Sequence, residues 1–124
     1  MVKREIKTDR APKPRGQCSQ GIVAGNRIYV SGQYPVDSEN RRMPLDIATQ
    51  TRLALTNIKN IIEAGGGRME NVVKCTVHLA NLSDFDEFNT AYAEFFKAPY
   101  PVCTTVGGAL LGKALIEIDA VAEI

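Results

Sequence analysis

The sequence predicts a two-layer α+β fold: a mixed β-sheet covered on one face by two helices. Three observations carry that prediction. Residues 115–122 (LIEIDAVA) alternate, with Ile116, Ile118, Ala120 and Ala122 on one side and Glu117, Asp119 and Val121 on the other. That is the period of a half-buried strand. Residues 71–80 (NVVKCTVHLA) repeat the pattern, setting Val73, Cys75, Val77 and Leu79 against Lys74, Thr76 and His78. Two longer stretches, 45–64 and about 84–97, carry apolar residues at helical spacing instead. The resulting order is β-ββ-α-β-α-ββ, and two amphipathic helices suffice to cover one sheet face.

The elements follow in chain order. Residues 2–7 form a short charged edge strand, and residues 8–19 form a loop broken by Pro12, Pro14 and Gly16. Gln20 to Ala24 and Arg27 to Ser31 read as strands joined by a Gly25-Asn26 hairpin turn, since both types tolerate positive φ. Gly32, directly after Ser31, lets another group approach the backbone closely. After a turn-rich link over 33–43, Pro44 opens a helix from Leu45 to Ala64. Ala48, Ala54, Leu55, Ile58, Ile61 and Ile62 form its apolar stripe, while Arg52, Asn57, Lys59, Asn60 and Glu63 lie off it. Gly65-Gly66-Gly67 ends it as a C-cap and turn; a phosphate cradle would need these glycines before a helix. Asn81, Ser83 and Asp84 start the second helix, which runs to about Lys97 with Phe85, Phe88, Tyr92, Phe95 and Phe96 on its buried stripe. Pro99 and Pro101 stop it.

Totals narrow the function classes. At 124 residues the chain is one domain spanning 1–124, large enough for a core without staples. A net charge of +1 gives no bulk attraction to nucleic acid or an anionic membrane. No apolar run approaches a membrane span, and the charged start MVKREIK is not a secretory signal, so a cytoplasmic protein is expected. Three cysteines without CxxC spacing argue against a disulfide framework or zinc site. Cys75 reads as a buried inert thiol and His78, the single histidine, as a surface or interface residue. The uncovered sheet face, with Tyr29, Ser31, Lys74, Thr76, Glu117 and Asp119, is too polar for a monomer core and suits solvent or a wet subunit interface.

Several segments together resemble the Rid family, also called the YjgF or L-PSP family. These are GQCSQG at 16–21, SGQYPVD at 31–37, EAGG at 63–66, NVVKCTVHLAN at 71–81, DFDEFNTAYAEFF at 84–96, PYPVCTTVG at 99–107 and IEIDAVA at 116–122. Their order and spacing carry the resemblance over nearly the whole chain. It implies a YjgF-like, chorismate-mutase-like fold assembled as a homotrimeric barrel, with clefts between subunits. It implies hydrolysis of reactive 2-imino acids and their enamine tautomers to 2-oxo acids and ammonia, without cofactor or metal. The binding partners implied are a small 2-imino or 2-oxo acid and further copies of the chain.

The resemblance assigns a catalytic role to Glu117, which would position the attacking water; Thr105 is a further catalytic candidate, because backbone groups near it and Gly32 could bind an oxygen or nitrogen of the substrate. The resemblance assigns substrate binding to Ser31, Gly32 and Asn89, and to positions 18 and 103. Two of these depart from the family pattern: Cys18 replaces a cleft tyrosine and Cys103 replaces the arginine of a P-x-R motif. An arginine grips a carboxylate through two parallel charge-assisted hydrogen bonds; a thiol does not. The chain therefore reads as a deaminase of reduced or altered range. A non-catalytic, metabolite-binding or regulatory trimer is the alternative. A ribonuclease of the L-PSP type is a further one, although no basic stripe or histidine pair supports it. Because both replacements fall in the expected cleft, Cys18 and Cys103 are either two independent small-residue replacements or a redox-sensitive pair meeting across a subunit boundary.

Overall fold

The computed structural model describes residues 2–124. Six strands, β1 (Lys3–Ile6), β2 (Gly21–Ala24), β3 (Arg27–Gln33), β4 (Val72–Leu79), β5 (Val102–Gly107) and β6 (Ile116–Glu123), form one sheet in the order β1-β2-β3-β6-β4-β5. All neighbours are antiparallel except β4 and β5, which run parallel. Helices α1 (Ile47–Ala64) and α2 (Phe85–Ala93) cover one face, so the α+β two-layer architecture is as expected.

The alternation of β6 does what its sequence requires. Ile116, Ile118, Ala120 and Ala122 are buried under the helices, and Glu117, Asp119 and Val121 are half-buried on the open face. In β4 the alternation fails at one point. The register shifts between Val72 and Lys74, so Val72 is buried and Val73 is exposed, contrary to the simple two-residue period. An extra residue in one strand moves a side chain to the other face.

Both helices are shorter than the apolar spacing suggests. Helix α1 begins at Ile47 because Asp46 caps it, accepting from the Thr49 amide at 2.9 Å; Pro44 and the exposed Leu45 lie outside. Gly65 and Gly66 close it, with Gly66 at φ 95°. Helix α2 ends at Ala93 rather than near Lys97. Phe96 nevertheless stays in the core, continuing a ladder of Phe85, Phe88, Tyr92 and Phe96 with ring centroids 5.8, 5.3 and 4.7 Å apart. Burial of the aromatic rings therefore outlasts the helix that presents them.

Four amides fix the loops around the sheet. Asn57 and Asn60, which helical spacing places off the apolar stripe, are in fact buried. Asn57 Nδ2 donates to the carbonyls of Tyr34 (3.3 Å) and Val36 (3.0 Å), and Asn60 Nδ2 to that of Arg10 (2.9 Å). Gln20 Nε2 donates to the carbonyls of Thr8, Ala11 and Pro12, while its Oε1 accepts from the Thr8 amide. Gln50 bridges the Pro44 carbonyl and the Leu115 amide. Loop carbonyls laid over α1 would otherwise be buried without partners, which is costly.

Candidate functional site

The expected site residues separate into two groups on opposite faces of the sheet. Glu117 projects from the open face of β6, alternating with the buried Ile116 and Ile118. Beside it, β3 brings Ser31 and Gly32 to the end of its ladder with β6, where the register shifts between Val30 and Gln33. Gly32 is there for space. A Cβ at this position would stand 2.7 Å from Glu117 Oε2 and 2.9 Å from its carboxyl carbon. The Ser31 hydroxyl donates to the Ser19 carbonyl, and the Ser31 amide to the Gln20 carbonyl at 3.0 Å, tying the loop that carries Cys18 to the sheet.

These residues line a cavity of about 570 Å³, in which Cys18, Ser31, Gly32 and Glu117 meet. Tyr34 and Arg15 also line it, and sequence reasoning missed both. The available signal was their position: Arg15 directly precedes GQCSQG, and Tyr34 is the variable residue within SGQYP. The Tyr34 phenol is held above its ordinary pKa, first by burial and then by the Glu117 charge, with Arg15 pulling the other way. The phenol therefore stays protonated beside the carboxylate.

Asn89, Cys103 and Thr105 line a second cavity, of about 430 Å³, between β5 and α2. Cys103 pairs in register with Cys75, and Thr105 with Val77, both buried beneath the helices, so the second group lies on the helix-covered face. Parallel partners in register share a face. Burial pushes the Cys75 thiol up to about 11, in keeping with an inert role. The Tyr92 hydroxyl, buried beside Cys75 and Cys103, makes no hydrogen bond among the described residues, and burial raises its pKa. Within one chain Cys103 thus neighbours Cys75, while Cys18 belongs to the other cavity; all three thiols are free.

His78 lies on the open face, opposite Glu117 in the β4–β6 ladder, and its buried Nδ1 has no partner among the described residues. Asp119 is raised by burial, against the opposing pull of the His78 and Lys74 charges and a hydrogen bond from Thr76. Among the described residues no group of three or more His, Cys, Asp and Glu side chains is placed to hold a metal ion. Among the described residues no helix is long and apolar enough to cross a membrane.

A glycine-backed carboxylate on the open face of a mixed sheet, over two helices packed on the other, defines an α+β fold of the YjgF type. The sequence profile described as Endoribonuclease L-PSP matches residues 8–124, and the chain belongs to that family, the Rid or YjgF family. A RutC family protein of Pyrococcus horikoshii is 43% identical over 123 residues, covering 98% of each chain. The 2-iminobutanoate/2-iminopropanoate deaminase of Escherichia coli is 39% identical over 125 residues, again covering 98% of each. The crystal structure of E. coli TdcF with bound serine superposes with a TM-score of 0.93 at 37% identity, covering 98% of both chains. At family level these likenesses support imine deamination.

Proposed function

We propose that the chain is a 2-imino acid deaminase whose sites form between neighbouring copies in a homotrimer. The observation that carries this reading is the separation of the candidate residues. Glu117, Gly32, Ser31 and Cys18 line one cavity, and Asn89, Thr105 and Cys103 line another across the sheet. One chain cannot close both groups around a small molecule; the open face of one copy against the β5–α2 flank of the next can. Such head-to-tail contacts close into a three-membered ring when each turns the next copy by a third of a revolution.

Water held by the Glu117 carboxylate attacks C2 of the imine, and the carboxylate takes the water proton. The Glu117 carboxyl returns that proton to the imine nitrogen, giving a tetrahedral carbinolamine with a hydroxyl and an amino group on C2. The regenerated carboxylate then carries the hydroxyl proton to the amino nitrogen, the C–N bond breaks as the C2–O bond becomes a carbonyl, and ammonia leaves a 2-oxo acid. Tyr34 orients the carboxylate, and polar groups at Thr105 and Asn89 of the adjoining copy face the substrate.

Mixing two inactive variants tests both halves of the reading. Glu117→Gln chains and Asn89→Ala/Thr105→Val chains, refolded together, should regain activity on freshly generated 2-iminobutanoate. About one quarter of head-to-tail clefts then contain two intact halves. Recovery in the mixture, with neither parent active, supports the shared site. No recovery, with the mixed trimers formed, contradicts it.

A further inference from the structure

Position 103 holds a thiol where a substrate carboxylate would be gripped, yet the Glu117 cavity is lined by three cations, Lys13, Arg15 and Arg41. We propose that Arg15 is the substrate-carboxylate grip of this protein, acting from the same side of the site as Glu117. The proposal rests on the deaminase reading for the nature of the anion.

Four observations converge on Arg15. First, none of the three cations forms an ion pair among the described residues, whereas Arg10, Arg27, Arg52 and Arg68 each meet a glutamate. Their charge is therefore uncommitted, and three cations facing one carboxylate leave the cavity ready for an anion. Second, the loop bearing Arg15 is anchored. Gln20 holds the carbonyls of Thr8, Ala11 and Pro12, and Pro12 and Pro14 restrict φ just ahead of it. Third, the Arg15 charge acts on the same Tyr34 phenol that faces Glu117, so guanidinium, phenol and carboxylate address one space. Fourth, a planar fork of donors suits a carboxylate better than the point charge of Lys13. Arg41, exposed as Arg15 is, stands at φ 59° at the end of the 37–42 turn. Leu111, which lines the same cavity, offers an apolar wall for a short alkyl chain.

The test is titration calorimetry of the full-length protein with 2-oxobutanoate, an unreactive anion of the product class, and with neutral 2-oxobutanamide. Arg15→Gln should weaken 2-oxobutanoate binding about 30-fold, as expected for a lost charge-assisted pair. Arg15→Lys should fall between the two. Lys13→Gln and Arg41→Gln should change it by less than about 3-fold, the scale of a screened charge that makes no direct pair with the anion. The amide should bind all variants alike. The proposal is overturned if Arg15→Gln binds 2-oxobutanoate as wild type does, if the amide is weakened equally, or if the wild type binds no 2-oxobutanoate. Hydrolysis assays on the same proteins separate this from the reading it rests on. Loss of the anion in Arg15→Gln with no turnover by wild type upholds the grip and removes the deaminase. Turnover with anion binding indifferent to Arg15 does the reverse.

Discussion

Replacing Gly32 with alanine asks whether the Glu117 carboxylate must stand where it does. The new methyl carbon would lie 2.7 Å from Oε2, whereas ordinary contact begins at 3.4 Å, so the carboxylate must retreat by about 0.7 Å. All three close atoms belong to the Glu117 side chain, which ends in a cavity and can swing. The backbone is free to accept the change, since Gly32 is not among the residues at positive φ. Stability should therefore change by less than about 1 kcal/mol. Catalysis is less forgiving, because a displacement approaching 1 Å costs up to about 100-fold. We expect kcat for 2-iminobutanoate to fall about 10- to 100-fold, or about 1.4–2.7 kcal/mol in transition-state stabilisation. Steady-state kinetics and a thermal melt of the same preparation read both quantities. Unchanged kcat would refute the reasoning, because the carboxylate would then have moved without consequence. A large drop in Tm would show instead that Gly32 is needed by the fold.

Other expectations concern the supports of the site. Asn57→Ala leaves the Tyr34 and Val36 carbonyls without their donor and should cost about 1–3 kcal/mol in urea unfolding, with KM raised as the Tyr34 loop shifts. Tyr92→Phe removes a buried hydroxyl that has no partner among the described residues, so its melt should match or exceed that of the wild type. Asp119 is raised in the folded state by burial, so it binds its proton more tightly folded than unfolded. Its contribution to stability is then fully present below the unfolded pKa, near 3.8, and is lost as pH rises through the folded value. Asp119→Asn should accordingly melt above the wild type at neutral pH, and the gap should close below about pH 4. A gap that widens in acid would reverse the sign of this account.

The fold was legible in the sequence where a single local period decided the outcome. Alternation alone placed Ile116 to Ala122, and the glycine run at 65–67 marked the end of α1. The misplacements share a different cause, which is partners distant in the chain. Asn57 and Asn60 are polar and buried because loops from residues 10 and 34–36 cross over α1, which helical spacing cannot foresee. Val73 turned outward at a bulge set by the pairing of β4 with β6. Phe96 kept its place in the aromatic ladder after the helix had ended. The motifs marked Glu117, Gly32, Ser31, Asn89, Thr105 and Cys103 for one cleft; their division between two cavities of a single chain depends on the sheet pairing and was not legible. They did not mark Arg15 or Tyr34, whose relevance depends on how the 12–18 and 33–36 loops close over the glutamate.

The position of Glu117 and Thr105 on opposite faces has a consequence for how much of this protein a cell must hold. If the site forms between chains as proposed, its divided residues are inert until chains meet, and turnover per chain follows the association equilibrium. On serial dilution the specific rate should decline once the chain concentration drops below its assembly constant, and it should return on reconcentration. Abundance would then act as a throttle on deamination, with no effector required.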